Sequence, residues 1–202
     1  MYINFRLERK LTCIVLVAIT CLTFAFVGCE DEVTLPPGTL AVSAEGPEGS
    51  ELLLVDIQTQ LQTNITNRPG SHSHPVFSPD GKKILYITES RGQISLYQYS
   101  VADKTTSQLP VSPTSAAKWA PDGKSIIFYC DKKICVANTK GEITSQWSPG
   151  DYLKIIETNG PPSRSAESGD LAFLAENSKQ EIDIYVVDEN WENLRRVLYN
   201  RT

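Results

Sequence analysis

The chain of 202 residues is 41% hydrophobic and 21% charged, with a formal net charge of -5, the composition of a folded protein with one sizeable core. An acidic chain with no Lys/Arg cluster and no alternation of basic with aromatic residues cannot displace counterions from phosphates, so nucleic acid is excluded as a partner.

Taken in chain order, Arg6, Arg9 and Lys10 precede an apolar run of 18 residues, Leu11 to Gly28, and Cys29 follows directly. A basic segment leading into such a run is a secretory signal pattern, although its length also suits a membrane anchor. The ending Phe26-Val27-Gly28-Cys29 resembles the lipobox of bacterial lipoproteins. That resemblance implies cleavage before Cys29, which removes residues 1–28 and leaves a net charge of about -7, and it implies acyl chains on the Cys29 thiol. At about 0.8 kcal/mol per buried methylene, several chains would hold the protein on a membrane without a spanning helix. Glu30 after the cysteine implies the outer membrane in a Gram-negative host. The expected location is therefore the bacterial cell envelope, lipid-anchored and facing the periplasm or the outside. Residues 29–38, acidic and then proline-rich, read as a tether.

The segment FSPDGKKILYI, starting at Phe77, returns as WAPDGKSIIFY, starting at Trp119. Proline presets φ, aspartate bonds its own downstream backbone and glycine supplies a positive φ, so Pro79-Asp80-Gly81 and Pro121-Asp122-Gly123 are predicted hairpin turns. The run after each turn is apolar on both alternating faces, as in a strand covered on both sides. No window between these strands shows helical periodicity, which leaves sheets stacked on sheets. Further strands follow each copy: Ile94 to Ser100 and Thr105 to Leu109, then Ile134 to Asn138 and Glu142 to Trp147. A weaker copy carries Leu171 to Ala175, Glu181 to Asp188 and Asn193 to Leu198, and an upstream one has three strands with no entering strand. A period of roughly 40–46 residues matches one four-stranded blade of a β-propeller.

The stretches HPVFSPDGKKILYITE, KWAPDGKSIIFYC and DIYVVD (Asp183 to Asp188) resemble the WD40-like repeats of TolB-type propellers. The expected organisation is all-β, with about four blades in residues 39–202, namely a partial blade at 39–66 and others at 73–109, 115–147 and 160–198. TolB-type rings have six blades, so the resemblance implies an incomplete or truncated ring, with a compact four-blade ring as the alternative. An open arc leaves two apolar blade faces unstacked and inclined to self-associate.

Candidate site residues are few. His72 and His74 lie two apart, which in an extended strand points both rings to one side, but two ligands are too few to predict a metal site. No cofactor is expected. Were Lys132-Lys133 a two-residue turn, Cys130 would lie opposite Cys135 at a separation that suits a disulfide. Phe77 and Trp119 are the expected blade-packing aromatics, while Trp147 and Trp191 fall near blade edges, where at most one would touch a partner. Neither a G-x-S-x-G elbow nor a phosphate-binding glycine loop is present. The expected function is a non-enzymatic scaffold binding an envelope protein or peptide. The alternatives are a metal-dependent enzyme acting on polyuronate or another carbohydrate through His72 and His74, as in the related oligogalacturonide lyases, and the remnant of a lid domain from a prolyl-oligopeptidase-like hydrolase.

Overall fold

The computed structural model describes residues 34–46, 48–157 and 160–197. The signal at 1–28, Cys29, residues 30–33 of the tether and Leu198 at the end of the last expected blade lie outside the described residues.

The repeated phrase makes the strand geometry plain. In its first copy Gly81 sits at φ 70° and its N–H donates to the Ser78 carbonyl at 2.8 Å. The Ser78 hydroxyl donates to Asp80 Oδ1 at 2.6 Å, and Asp80 Oδ1 also accepts the Lys82 N–H at 3.1 Å. The second copy has Ala120 in place of the serine but keeps the Gly123 N–H on the Ala120 carbonyl at 2.9 Å and the Lys124 N–H on Asp122 at 2.9 Å. The turn therefore rests on aspartate and glycine, and the serine hydroxyl is an addition in one copy.

Sixteen strands occur among the described residues, in four antiparallel sheets. The first sheet is β1 (Thr39–Gly46), β2 (Gly49–Asp56) and β3 (Gln62–Asn64). The second runs β4 (Ser71–Phe77), β5 (Lys83–Ser90), β6 (Gln93–Ser100) and β7 (Thr105–Gln108). The third is β8 (Ala117–Trp119), β9 (Ser125–Cys130), β10 (Lys133–Asn138) and β11 (Ile143–Trp147). In the fourth, β12 (Leu153–Ile155) and β13 (Ser163–Arg164) share the entering position on β14 (Leu171–Asn177), followed by β15 (Ile182–Val187) and β16 (Arg195–Val197). β12 lies ahead of residue 160, so the last sheet begins earlier than the sequence reading placed it. Its entering strand is cut in two because Gly160-Pro161-Pro162 interrupts the backbone donors that a continuous strand needs.

These sheets stack as blades through three apolar layers. Leu52 and Leu54 meet Ile84, Tyr86 and Tyr99 between blades one and two. Leu85, Ile87 and Leu96 meet Trp119, Ile126 and Phe128 between blades two and three. Ile127, Tyr129, Ile134 and Val136 meet Leu171, Phe173 and Tyr185 between blades three and four. The strand SIIFYC thus feeds two layers at once, and Ile126, Ile127 and Phe128 are each 0% exposed. Fully burying one such side chain contributes roughly 1.5–3 kcal/mol. Among the described residues no apolar cluster joins blade four to blade one, so the ring is not closed.

Two aspartates that hold turns link this fold to pH. The Ser78 hydroxyl, then the Lys82 N–H, hold the Asp80 carboxyl below the usual carboxylate range. The Glu192 N–H and the Asn193 side chain do the same for Asp188. A group whose value drops on folding adds stability above its unfolded value and loses it as pH falls through the folded one. The urea midpoint is therefore expected to be level near neutrality and to decline below about pH 4, with a shallower decline in Asp80→Asn and Asp188→Asn. An unchanged slope in both variants would show that other carboxylates govern acid unfolding.

Candidate functional site

Strand direction sorts the loops by end. Gly46–Gly49 joins β1 to β2, and an added Cβ on Gly49 would meet the Gly70 carbonyl at the start of β4, so this hairpin lies at the end where β4 begins. The turns Arg91-Gly92 and Asp131-Lys132 and the connection from β11 to β12 occupy the same end, because each follows a strand running antiparallel to the entering one.

A recess of about 460 Å³ opens there, lined by Lys132, Ser148, Gly150, Asp151, Leu153, Lys154, Ile155 and Glu157. It arises because Pro149-Gly150 turns the chain sharply before β12, while Asp131-Lys132 projects from blade three. The Lys132 N–H donates to Glu157 Oε1 at 2.9 Å, tying the two walls. Lys154 Nζ lies 3.4 Å from Glu176 and its side chain is 77% exposed, so its charge stays available to a ligand. Leu153 and Ile155 are buried, and Tyr152 beside the recess is 62% exposed. Two cations, two carboxylates and an aliphatic patch in one concavity suit an extended polypeptide with charged and apolar side chains better than a uniformly charged polymer.

A second recess, about 260 Å³, is lined by Tyr129, Ile156, Pro161, Ala172, Phe173, Leu174 and Ile184 with Gly160 and Ser163. Burial, aided by the Glu157 charge, pushes the Tyr129 phenol up to about 12, so it remains a neutral donor. Across the same blade boundary, Lys118 Nζ donates to Ser163 Oγ at 2.6 Å, and burial pulls the Lys118 ammonium down.

The two histidines part company. His72 is 1% exposed, with Nδ1 2.9 Å from Thr88 Oγ1 and Nε2 3.0 Å from the Arg68 carbonyl. A carbonyl can only accept, so Nε2 carries the proton and Nδ1 accepts from the threonine hydroxyl. Both ring nitrogens are thereby engaged within the blade. His74 sits at φ 56° where the register shifts between Ser73 and Val76, and its Nδ1 lies 3.0 Å from Ser73 Oγ. That irregularity breaks the extended alternation which would have aimed both rings to one side.

Cys130 and Cys135 are bonded to each other with Cα atoms 6.0 Å apart. The turn beneath them differs from the expected one. Lys133 pairs with Cys130 and Cys135 with Phe128, so the two-residue turn is Asp131-Lys132 and the bridge runs diagonally across one face. Asp131 and Lys132 have φ of 46° and 62°, the pair of positive values that matches the twist of a tight hairpin, and aspartate tolerates that region where lysine at both positions would not. Phe77 packs against the layer between blades one and two, and Trp119 lies between blades two and three with Nε1 donating to the Val76 carbonyl at 3.3 Å. Trp147 and Trp191 stack on each other at 5.9 Å, and Trp147 meets Phe173 edge-on at 5.5 Å, so both rings pack, partly buried, against the layer between blades three and four.

No family model matches the sequence. Among solved structures, TolB from Acinetobacter baumannii aligns with a TM-score of 0.62 and 22% identity, over 79% of this chain and 40% of its own. A protein from Agrobacterium tumefaciens assigned as TolB aligns with a TM-score of 0.61 and 16% identity, over 80% of this chain and 61% of its own. The fold is that of a TolB-type propeller. The propeller blades here thus span 40% and 61% of the length of those two chains. The same propeller fold aligns with an oligogalacturonate lyase in complex with manganese, at a TM-score of 0.56 and 18% identity over 81% of this chain and 46% of that one. Peptidases also align, among them an acylaminoacyl peptidase from Pyrococcus horikoshii at a TM-score of 0.54 and 12% identity, over 82% of this chain and 31% of that one.

Sequence reading placed Lys132 only in a turn and did not single out Asp151, Tyr152, Lys154 or Glu157. A signal for their strand is present, since the apolar/polar alternation of Leu153-Lys154-Ile155 lies between the turn pairs Pro149-Gly150 and Gly160-Pro161. The convergence of Lys132 on Glu157 has no such signal, because it joins different blades.

Proposed function

We propose that this protein is a non-catalytic propeller of the bacterial envelope, held to a membrane through lipid on Cys29, that binds a protein or peptide partner in the recess between blades three and four. The observation that carries this reading is the recess itself, where Lys132, Lys154, Asp151 and Glu157 surround Leu153 and Ile155. Main-chain groups of the short strand β12 and the exposed Tyr152 ring give a polypeptide further hydrogen-bonding and packing surface. The location rests on the lipobox-like segment and is consistent with the TolB proteins among the structural neighbours.

A photo-crosslinking amino acid at Tyr152 of the full chain, expressed in its host, is expected to give one discrete heavier adduct, reduced several-fold by Lys154→Glu and Asp151→Lys together. Equal, diffuse labelling from Tyr152 and from a control position at Gln108 would reject the recess as the binding site. The carbohydrate-lyase alternative draws support from the manganese-bound lyase neighbour, but His72 is buried and would have to give up the Nδ1 hydrogen bond with Thr88 to become a ligand.

A further inference from the structure

The split in the last entering strand leaves a gap beside β14. β12 pairs with it as far as Ala175 and β13 only at Ala172 and Leu171, so Phe173 and Leu174 have no strand partner on that side. The second recess, about 260 Å³, opens at this gap, lined by Ile156 and Pro161 of the interrupted segment and by Phe173, Tyr129 and Ser163.

Its polar groups are donors in search of an acceptor. Lys118 pairs with Ile127 across β8 and β9, so its side chain leaves the same face of blade three as Ile127 and, two residues on, Tyr129. The Lys118 ammonium, partly buried, reaches the recess through Ser163 Oγ at 2.6 Å, and among the described residues no carboxylate pairs with it. Tyr129 is 1% exposed, yet no described residue accepts a hydrogen bond from its hydroxyl. The Glu157 carboxylate whose charge acts on Tyr129 lines the other recess, where it accepts the Lys132 N–H.

One ammonium and two hydroxyls, set among apolar side chains, call for an oxygen anion on an apolar body. A buried donor without an acceptor is unfavourable, and an anionic acceptor forms the stronger, charge-assisted bond. One cation offsets one carboxylate, whereas a phosphate would bring surplus charge against Ile156, Pro161 and Phe173. We propose that this recess binds a monocarboxylate on a short apolar body, the carboxylate accepting from Lys118, Tyr129 and Ser163 while the body packs on Ile156, Pro161 and Phe173. The volume suits one side chain's worth of ligand, so the carboxylate belongs to a free branched-chain acid or to the last residue of a polypeptide. This site is separate from the recess beside Tyr152, and either can fail without the other.

The test titrates the purified full chain in detergent with isovalerate and with N-acetyl-glycyl-leucine, each against its own carboxamide, by calorimetry and ligand-observed NMR. Saturable binding of the acids is expected, with the amides at least tenfold weaker, and the tighter acid tells a free metabolite from a chain end. Lys118→Met, which keeps the aliphatic stem, should raise Kd at least tenfold, and Tyr129→Phe several-fold. Because the Tyr129 hydroxyl has no partner, Tyr129→Phe should leave Tm level or higher, an outcome that a hydroxyl holding the blades together would not give. Equal affinity for acid and amide, no saturable binding of either acid, an unchanged Kd in Lys118→Met or Tyr129→Phe, or a marked loss of Tm in Tyr129→Phe overturns the proposal. The comparison of acid with amide needs no substitution and covers the case in which Lys118→Met fails to fold.

Discussion

Phe128→Ala is expected to lower stability by about 3–5 kcal/mol, the range for removing a buried aromatic ring from a packed core. Phe128 is 0% exposed and sits on β9, paired on one side with Ala117 and on the other with Cys135, while its ring fills the layer between blades two and three with Trp119 and Leu85. β9 is packed on both faces, so neighbouring side chains relax into the void only in part. For a domain of this size the loss corresponds to a fall in Tm of roughly 6–20 °C. Phe128→Leu keeps most of the volume and should cost under about 1.5 kcal/mol. Thermal and urea unfolding followed by circular dichroism measures both. A drop of less than about 1 kcal/mol for Phe128→Ala would show that blades two and three do not stack through this strand.

His72→Leu is expected to cost about 2 kcal/mol, because a buried hydroxyl left without its partner carries a penalty of about 1–3 kcal/mol. Thr88 is 9% exposed and depends on His72 Nδ1, and the imidazole also packs edge-on against Tyr86 at 5.9 Å. Adding Thr88→Val removes the orphaned hydroxyl, so the double variant should recover about 1 kcal/mol relative to His72→Leu. Metal content of the purified full chain is expected to be the same before and after His72→Leu. A stoichiometric metal lost on that substitution would move the protein to the carbohydrate-lyase reading, and strict additivity of the two substitutions would dissolve the pairing.

Blade architecture was legible because its signals are local. The Pro-Asp-Gly turns occupy consecutive positions, and the doubly apolar runs after them, Ile84 to Ile87 and Ile126 to Tyr129, announce strands covered on both faces. Less was legible around Cys130. Two registers separated by one residue place the cysteines near each other, and the backbone's preference for positive φ at Asp131 rather than at Lys133 chose between them. His72 and His74 carried the reverse lesson. Spacing in an ideal strand aims both rings together, whereas the irregularity between Ser73 and Val76 and the pull of Thr88 send them to different tasks.

Residue order alone determined that this chain forms short, twisted, antiparallel units of about forty residues, since turn chemistry and period-two burial act over a few neighbours at a time. Tertiary structure alone decided which faces of those units are shared and which are left open, that Lys132 meets Glu157 across a blade boundary, and that the entering strand of the last blade is split into β12 and β13. Those outcomes depend on groups brought together from far apart along the chain, and no local pattern encodes a contact whose partner lies in another blade.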